Sequence, residues 1–377
     1  MRLLHTSDLH IGRRMNGYSL IEDQKHILEE ILQIAKDKKV DVLLIAGDVY
    51  DRHIPSEEAV TLFDGFITAL ANEGIPAMVT SGNHDSAERV GFGSHLMDAM
   101  QVFVSPAYRG NTKKVVLEDR HGRVNFWLLP FVKPQLVRSV FQQDDIEDYT
   151  QAIARTVEEM NPDFNERNVI LSHQFVAGSV RTESETVSVG GMDNVAPSAY
   201  TGFDYVALGH IHRPQRAGAE HIRYCGSPLK YSFDNNEGQK SVLMVDLEEK
   251  GNVNIEKLPL HPVRDMREIR GSFDQLIQMA EQDTVGSKDY ISVVITDEHE
   301  KYDGFQRLKD VYPNLMQMRY DNRRMAFDQQ VDNLTADAGK TTYEYCQELF
   351  EKQNNGEMSE FQNRILMQII DEVKGEI

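Results

Sequence analysis

Apolar and polar positions alternate between two rhythms along the first hundred residues. Arg2-Leu3-Leu4-His5-Thr6 reads as a short buried strand. From about Leu20 to Lys38, the residues Ile21, Ile27, Leu28, Ile31, Leu32 and Ile34 recur at helical spacing. Val40 to Ala46 is apolar except for Asp41 and ends at Gly47, which predicts a second buried strand. Ser56 then caps a helix with Glu57 and Glu58 in its first turn, where carboxylates suit the helix dipole. Val60, Phe63, Phe66, Ile67 and Leu70 give that helix a wide apolar face. Pro76 to Thr80 is the next strand. Strand, helix and strand in turn predict an α/β layer fold with a site at the carboxyl ends of the strands.

After Val102 the rhythm shortens. Strands are expected at Val102 to Val104, Lys114 to Leu117 and Val124 to Leu129, with a helix over roughly Ile146 to Met160. Asn168 to Leu171 and Tyr205 to Leu208 read as two more strands. Residues 176–200 are rich in Gly, Ser and Thr and read as a long loop. Ser241 to Asp246 and Val253 to Leu258 resemble a hairpin closed around Lys250-Gly251-Asn252.

The pattern changes again near His261-Pro262. Arg267 to Arg270, Phe273 to Glu281, Tyr290 to Thr296, Asp303 to Val311 and Leu315 to Tyr320 predict a small separate α/β domain. Residues 322–340 are polar and linker-like. Beyond them, Thr341 with Glu344 and Ser359 with Gln362 match two capping boxes. Met358, Phe361, Ile365, Ile369 and Val373 make a helical apolar stripe, and the two helices would join near Asn354-Asn355-Gly356. The expected division is residues 1–260, 261–321, a linker at 322–340 and C-terminal helices at 341–377.

Bulk properties narrow the class. The 377 residues allow two or three domains. Hydrophobic content of 40% and charged content of 27% fit a water-soluble globular chain, and no apolar run is long enough to span a bilayer. No secretory signal is visible. Two cysteines, Cys225 and Cys346, make neither a disulfide framework nor a thiolate metal site, which fits a reducing cytoplasm. The net charge of -20 argues against nucleic acid as a partner. That argument is weakened by metals, by charge segregation between domains and by binding surfaces on a partner.

The chemistry gathers where predicted strands end. Asp8 and His10 are spaced i, i+2, so an extended tip would turn both side chains the same way. A strand carrying such a pair at the N-terminus should sit centrally, because later segments must return to it. Four do: Gly47-Asp48, Gly82-Asn83-His84-Asp85, His173 and Gly209-His210-Ile211-His212. Oxygen and nitrogen donors without cysteine suit Mn, Fe, Zn or Mg. Of the 13 histidines, His26, His53, His95, His121, His221, His261 and His299 read as ordinary surface or loop residues, and His5 as a buried strand residue.

These motifs, in this order, resemble those of the calcineurin-like metallophosphoesterases. Met1 to Gly12, Phe203 to Gln215 and Tyr224 to Phe233 are closer still to the nuclease branch that serves double-strand-break repair. The resemblance implies a two-sheet sandwich flanked by helices, with a small α/β cap and C-terminal helices. It implies one metal held by Asp8, His10, Asp48 and His212, and a second held by Asp48, Asn83, His173 and His210. Two cations about 3.5 Å apart repel, so a shared carboxylate, here Asp48, belongs between them. The family favours two Mn²⁺ ions, with Mg²⁺ the alternative. His84, one residue past a ligand, is expected to orient the phosphate and stabilise the transition state. Archaeal relatives carry His where this chain has Asp51, so Asp51 reads either as a solvated loop carboxylate or as a support for a ligand histidine.

The resemblance further implies a DNA nuclease acting on duplex ends, hairpins and single strands, in repair, recombination and hairpin processing. It implies a homodimer through the helix after Ser56 and the segment around His95 to Met100. It also implies an SbcC-type ATPase partner, two copies of each chain, held by the C-terminal helices. Arg267, Arg270, Arg319, Arg323 and Arg324 would give the cap a DNA-contacting face, or an ordinary solvated one. Two other readings compete. A phosphatase or cyclic-nucleotide phosphodiesterase would not require the cap and tail. A scaffold with a vestigial site would not keep all seven donor positions filled.

Overall fold

The computed structural model describes residues 1–142, 145–185, 193–234, 237–282, 288–299, 301–321, 341–354 and 358–375. The chain forms two compact units, Met1–Met266 and Arg267–Ile377.

Two six-stranded sheets make the first unit. One runs in the order Val253–Pro259, Ser241–Leu247, Arg2–Thr6, Val42–Ala46, Ala77–Thr80 and Val102–Val104. The N-terminal strand is third of six, parallel to Val42–Ala46 and antiparallel to Ser241–Leu247, so the central placement expected of it is observed. The other sheet runs Gln215–Ala217, Ala219–Tyr224, Tyr205–Gly209, Arg167–His173, Gly122–Leu128 and Lys113–Asp119. The second sheet has a parallel centre and antiparallel edges, whereas the first is antiparallel only on its Ser241–Leu247 side and stays parallel out to its Val102–Val104 edge.

The sheets face each other across a core that includes Leu3, Leu44 and Met78 on one side and Phe126, Val169 and Ala207 on the other. Each of the larger of these side chains, once buried, contributes about 1.5–3 kcal/mol relative to exposure. Strand alternation sends Leu4, Leu43, Ile45 and Val79 to the opposite face, where they remain buried. The neighbouring helices Ile21–Asp37 and Glu57–Asn72 supply that outer layer with Ile27, Ile31, Phe63 and Ile67. Ser56 Oγ caps the second of them by accepting from Ala59 N. Outside the other sheet, Trp127, Ile170, Val206 and Tyr224 pack with Val137, Ala152 and Ile153 from helices Pro134–Phe141 and Tyr149–Met160.

At the end of the sandwich where Arg167–His173 begins, Arg167 ties the sheets together. It donates to Asp119 at 2.5 and 3.2 Å and to Gly122 O at 2.7 Å on its own sheet. It also reaches Leu247 O at 3.4 Å and Glu248 O at 2.8 Å, at the end of a strand in the other sheet.

Several elements escaped the periodicity, and the expected long loop 176–200 is not wholly irregular: Asn194–Val195 pairs with Phe175–Val176, and Pro197–Tyr200 is a short 3-10 helix. Pro134–Phe141 is only eight residues, too short for the spacing to repeat. Gln215–Ala217 and Ala219–Tyr224 form a polar hairpin at a sheet edge, where one face needs no apolar side chains.

The second unit holds a three-stranded sheet, Met266–Gly271, Tyr290–Ile295 and Leu315–Tyr320, with helices Phe273–Gln282 and Gly304–Val311. Ile269, Phe273, Leu276, Val293, Leu308 and Leu315 form its core. Arg267 pairs with Asp289, Arg270 with Asp321 and Arg319 with Glu268. These arginines therefore face acids of their own unit. Arg323, Arg324 and the expected linker at 322–340 lie outside the described residues, as do Asn355 and Gly356.

Helices Thr342–Asn354 and Glu360–Gly375 follow. Both capping boxes form. Thr341 N donates to Glu344 Oε2 at 2.7 Å and Glu344 N to Thr341 Oγ1 at 3.3 Å. Ser359 and Gln362 exchange the equivalent pair at 2.9 and 3.3 Å. Phe361, Ile365 and Ile369 of the stripe are exposed.

Candidate metal centre

Five strand ends from two sheets deliver the polar residues to one place. Asp8 and His10 follow Arg2–Thr6, Asp48 follows Val42–Ala46, and Asn83 and His84 follow Ala77–Thr80. His173 ends Arg167–His173, and His210 and His212 follow Tyr205–Gly209. Backbone bonds lace the first two loops together: Asp8 N donates to Gly47 O, His10 N to Asp48 O and Ile11 N to Val49 O. Such close approach needs glycine. A Cβ on Gly209 would meet Ala46 O at 1.8 Å, and one on Gly82 would meet Asp48 Oδ1 at 2.1 Å.

The extended tip inferred from the Asp8–His10 spacing is not what brings this pair together. Asp8, His10, Asp48 and His210 have φ of 52°, 44°, 49° and 103°, so the chain turns left-handed at each. Asp and His tolerate this better than most residues, and four together at one site mark a functional constraint rather than a tolerated turn.

All eight predicted site residues meet there. Asp8, His10 and His212 each place a donor atom within 4.8 Å of the others, as do Asp8, Asp48 and His173, and also His10, Asp48 and His84. His10 Nε2 lies 3.1 Å from His212 Nε2. Asp48 Oδ2 lies 3.2 Å from His173 Nε2 and 3.6 Å from His10 Nε2. Asn83 Oδ1 is 3.0 Å from His173 Nε2 and 2.9 Å from His210 Nδ1.

The donors fit a pair of divalent cations. Asp8 and Asp48 are buried, and their ion-pair partners are histidines rather than lysine or arginine. Burial pushes the Asp8 carboxyl up to about 7. Burial also opposes ionisation of Asp48, but His173 outweighs it and holds that carboxyl well below the usual range. His173 is correspondingly raised to about 9, against the pull of burial, by Asp48. Burial lowers His10 and His212 well below the ordinary imidazole value and His210 to about 3, so these rings are neutral and offer lone pairs. His210 Nε2 is buried and has no hydrogen-bond partner among the described residues. Protons shared among crowded carboxylates and imidazoles are what cations would displace.

His84 differs from the rest. Its N–H donates to Asp48 Oδ1 at 2.8 Å and its ring stands 4.8 Å from the His10 ring. The side chain is half-buried and reaches the surface, whereas Asp8, His10, Asp48, His173 and His212 are buried. Asp51 Oδ1 takes an ion pair from Arg13 at 3.0 Å and stands 3.7 Å from His10 Nδ1, beyond hydrogen-bond range. His5 is buried in its strand against Tyr205, as its position suggested.

Several supporting residues carried no role in the sequence reading. Asp85 accepts from Gly82 N, Val49 N and Tyr50 N and clamps together the loops that carry Asp48 and Asn83. It closes the Gly-Asn-His-Asp motif, so its place was a usable signal. Gln24 donates to His10 O at 2.7 Å, and Tyr231 donates to Leu9 O at 2.5 Å. Ser184, Glu185 and Lys240 surround His212. Nothing in their local sequence marks them.

The sequence profile described as Calcineurin-like phosphoesterase matches residues 1–214. The SbcD_C profile, described as Type 5 capsule protein repressor C-terminal domain, matches residues 262–353. The SbcD chain of the SbcCD nuclease from Staphylococcus epidermidis is 33% identical over 321 residues, covering 84% of each chain. This chain belongs to the SbcD family of calcineurin-like phosphoesterases. The SbcD chain from Staphylococcus saprophyticus is 32% identical over 320 residues, again covering 84% of each chain. Among solved structures, a dimetal phosphatase from Danio rerio aligns with 69% of this chain and 96% of its own, at 12% identity and TM-score 0.38. Family and site together make the chain a metal-dependent phosphodiesterase, and its family makes it a nuclease subunit.

Proposed function

We propose that this chain is the Mn²⁺-dependent nuclease component of a DNA-processing complex, cutting duplex ends with an SbcC-type ATPase and hairpins or single strands without it. The reading is carried by Asp48, a buried carboxylate between the Asp8–His10–His212 and Asn83–His173–His210 groups. A bound pair of divalent ions supplies Lewis acidity at the phosphate and lowers the pKa of water. The residues supply the rest. Asp48 is shared between the two groups, while Asp8, His10 and His212 complete one and Asn83, His173 and His210 the other. His84, at the surface beside Asp48, is placed to donate to a phosphate oxygen as charge develops there. Its N–H bond to Asp48 fixes its backbone against the centre.

A homodimer is supported by Phe92 and Leu96, which are 85% and 81% exposed, with Met100 also exposed one turn further on. The exposed stripe of Phe361, Ile365 and Ile369 suits docking on the coiled-coil base of the ATPase. The free cysteines Cys225 and Cys346 suit the cytoplasm.

The test is a single assay of the Mn²⁺-loaded protein on labelled hairpin DNA, p-nitrophenyl phosphate and cyclic nucleotides, with and without SbcC and ATP. Hairpin cleavage alone, and duplex cutting only with SbcC and ATP, is the expected result. Turnover confined to the small esters would overturn the DNA reading, and turnover of none would leave a scaffold.

A further inference from the structure

His212 is gripped at every polar atom. Its N–H donates to Glu185 Oε1 at 2.6 Å. Its carbonyl accepts from Lys240 Nζ at 2.9 Å. Its Nδ1 lies 2.7 Å from Ser184 Oγ, while Nε2 faces His10 Nε2 inside the donor cluster. Lys240 is buried, paired with Glu237 at 2.5 Å and bonded to Ser227 Oγ at 3.0 Å, so the carbonyl's partner is itself anchored.

The two ring nitrogens are not independent. A neutral imidazole carries one proton, and the nitrogen that donates leaves the other with a lone pair. Ser184 Oγ has Thr182 Oγ1 2.9 Å away to take its own hydrogen, which leaves it free to accept from His212 Nδ1. Glu185 also accepts from Thr182 N, so residues 182–185 form one small turn that addresses both the backbone and the ring of His212.

The neighbouring histidines are held differently. His173 Nδ1 is matched by Ala46 O at 2.9 Å, a strand carbonyl that cannot leave while the sheet is folded. His10 Nδ1 has no hydrogen-bond partner among the described residues. His212 takes its outer bond from a loop side chain, held by a few local bonds.

We infer that Ser184 is a positioning residue for the metal centre: its hydroxyl accepts Nδ1–H of His212 and fixes the tautomer that presents Nε2 beside Asp8 and His10. The inference rests on His212 being a ligand of that centre. It predicts that removing the Ser184 hydroxyl, and with it the Nδ1 bond, loosens one metal and spares the other.

The test titrates the full-length, metal-free protein with Mn²⁺ by calorimetry and follows the ions by electron paramagnetic resonance. Wild type binds two ions that show a coupled pair. Ser184→Ala should weaken one site by about tenfold or more, the usual effect of removing a ligand's outer partner, and keep the other. At two equivalents the coupled signal gives way to isolated Mn²⁺, and Ser184→Thr restores it. Thr182→Ala, which removes the acceptor of the Ser184 hydrogen but leaves the Ser184 hydroxyl beside Nδ1 with solvent to take that hydrogen, should weaken the site less than Ser184→Ala does. Equal weakening in Thr182→Ala and Ser184→Ala would mean loop integrity matters rather than the Nδ1 bond, and would overturn the assignment. So would wild-type binding at both sites in Ser184→Ala alongside a lost site in His212→Ala. Wild-type binding in His212→Ala would overturn the reading of the centre itself.

Discussion

Replacing Arg167 by methionine should destabilise the first unit by about 3 kcal/mol. The side chain is 3% exposed and its guanidinium serves four partners on both sheets. Methionine keeps the apolar stem and removes only the donors. Breaking a buried ion pair costs about 3–5 kcal/mol when the partner is left uncompensated. Here Asp119 retains the Met1 ammonium at 2.6 Å and His121 N at 2.8 Å, and Leu247 O retains Met1 N at 2.7 Å. Gly122 O and Glu248 O lose a charged donor outright, at about 1.5–3 kcal/mol each, so the total falls at the low end. With a urea m-value of about 3 kcal/mol/M the midpoint drops by roughly 1 M. The assay is built in. Trp127 is the chain's one tryptophan, lies on the adjacent strand and donates to Asn168 Oδ1 at 2.9 Å, so its fluorescence reports this region. Arg216→Met, which removes the 65%-exposed pair with Glu220, should move nothing measurable. There is also a pH arm. Burial opposes Asp119 ionisation, but Arg167 and the Met1 ammonium hold its carboxyl well below the usual range. A folded value below the unfolded one means the stabilisation is complete above about pH 4 and is lost as acid titrates the carboxyl. The acid-side loss should therefore shrink in Arg167→Met. A midpoint within about 0.2 M of wild type, less than ~1 kcal/mol at that m-value, would refute the view that this network ties the sheets.

Asp48→Asn should lose both metals, and elemental analysis showing two bound Mn²⁺ would end its role as the shared ligand. His84→Ala should keep both ions yet cut roughly 10²-fold more slowly or worse; loss of an ion by mass spectrometry would make it a ligand instead. Leu96→Glu should convert a dimer to a monomer in sedimentation, and an unchanged mass would move the dimer contact elsewhere. Truncation after Lys340 should leave a folded dimer with residual Mn²⁺-dependent endonuclease activity that no longer holds SbcC. Co-elution at low micromolar concentration would show a different tether, and aggregation would show that the helices belong to the chain's own core.

The strands that build the centre were readable because buried parallel strands must be continuously apolar and because glycine marks where two backbones touch. Val42–Ala46 shows the first, and Gly82 and Gly209 the second. The conformation at Asp8 and His10 was not readable. Spacing assumes a backbone, and here the chain leaves the strand before Asp8 and His10. Asp85 could have been found from its place in the motif. Ser184 and Glu185 could not, since they lie 27 residues or more before the histidine they serve and are joined to it only by tertiary folding. The arginines of the second unit show the opposite case. A basic cluster stands out in sequence, while the Asp289, Asp321 and Glu268 that face three of its members do not.

The left-handed turns at Asp8, His10, Asp48 and His210 bear on how long this protein survives without metal. Each such turn costs about 1 kcal/mol or more in a residue other than glycine, and burial raises Asp8 toward neutrality beside the Asp48 carboxylate. These costs would be offset by ions held among the same residues. Ions that bind only the folded chain shift the balance by about 2.7 kcal/mol for each site at a hundred times its dissociation constant. Metal is then a folding ligand as well as a reagent. Chelation should lower the melting temperature before any substrate is present, and a cell short of the ion would lose the chain to proteolysis as well as losing its activity.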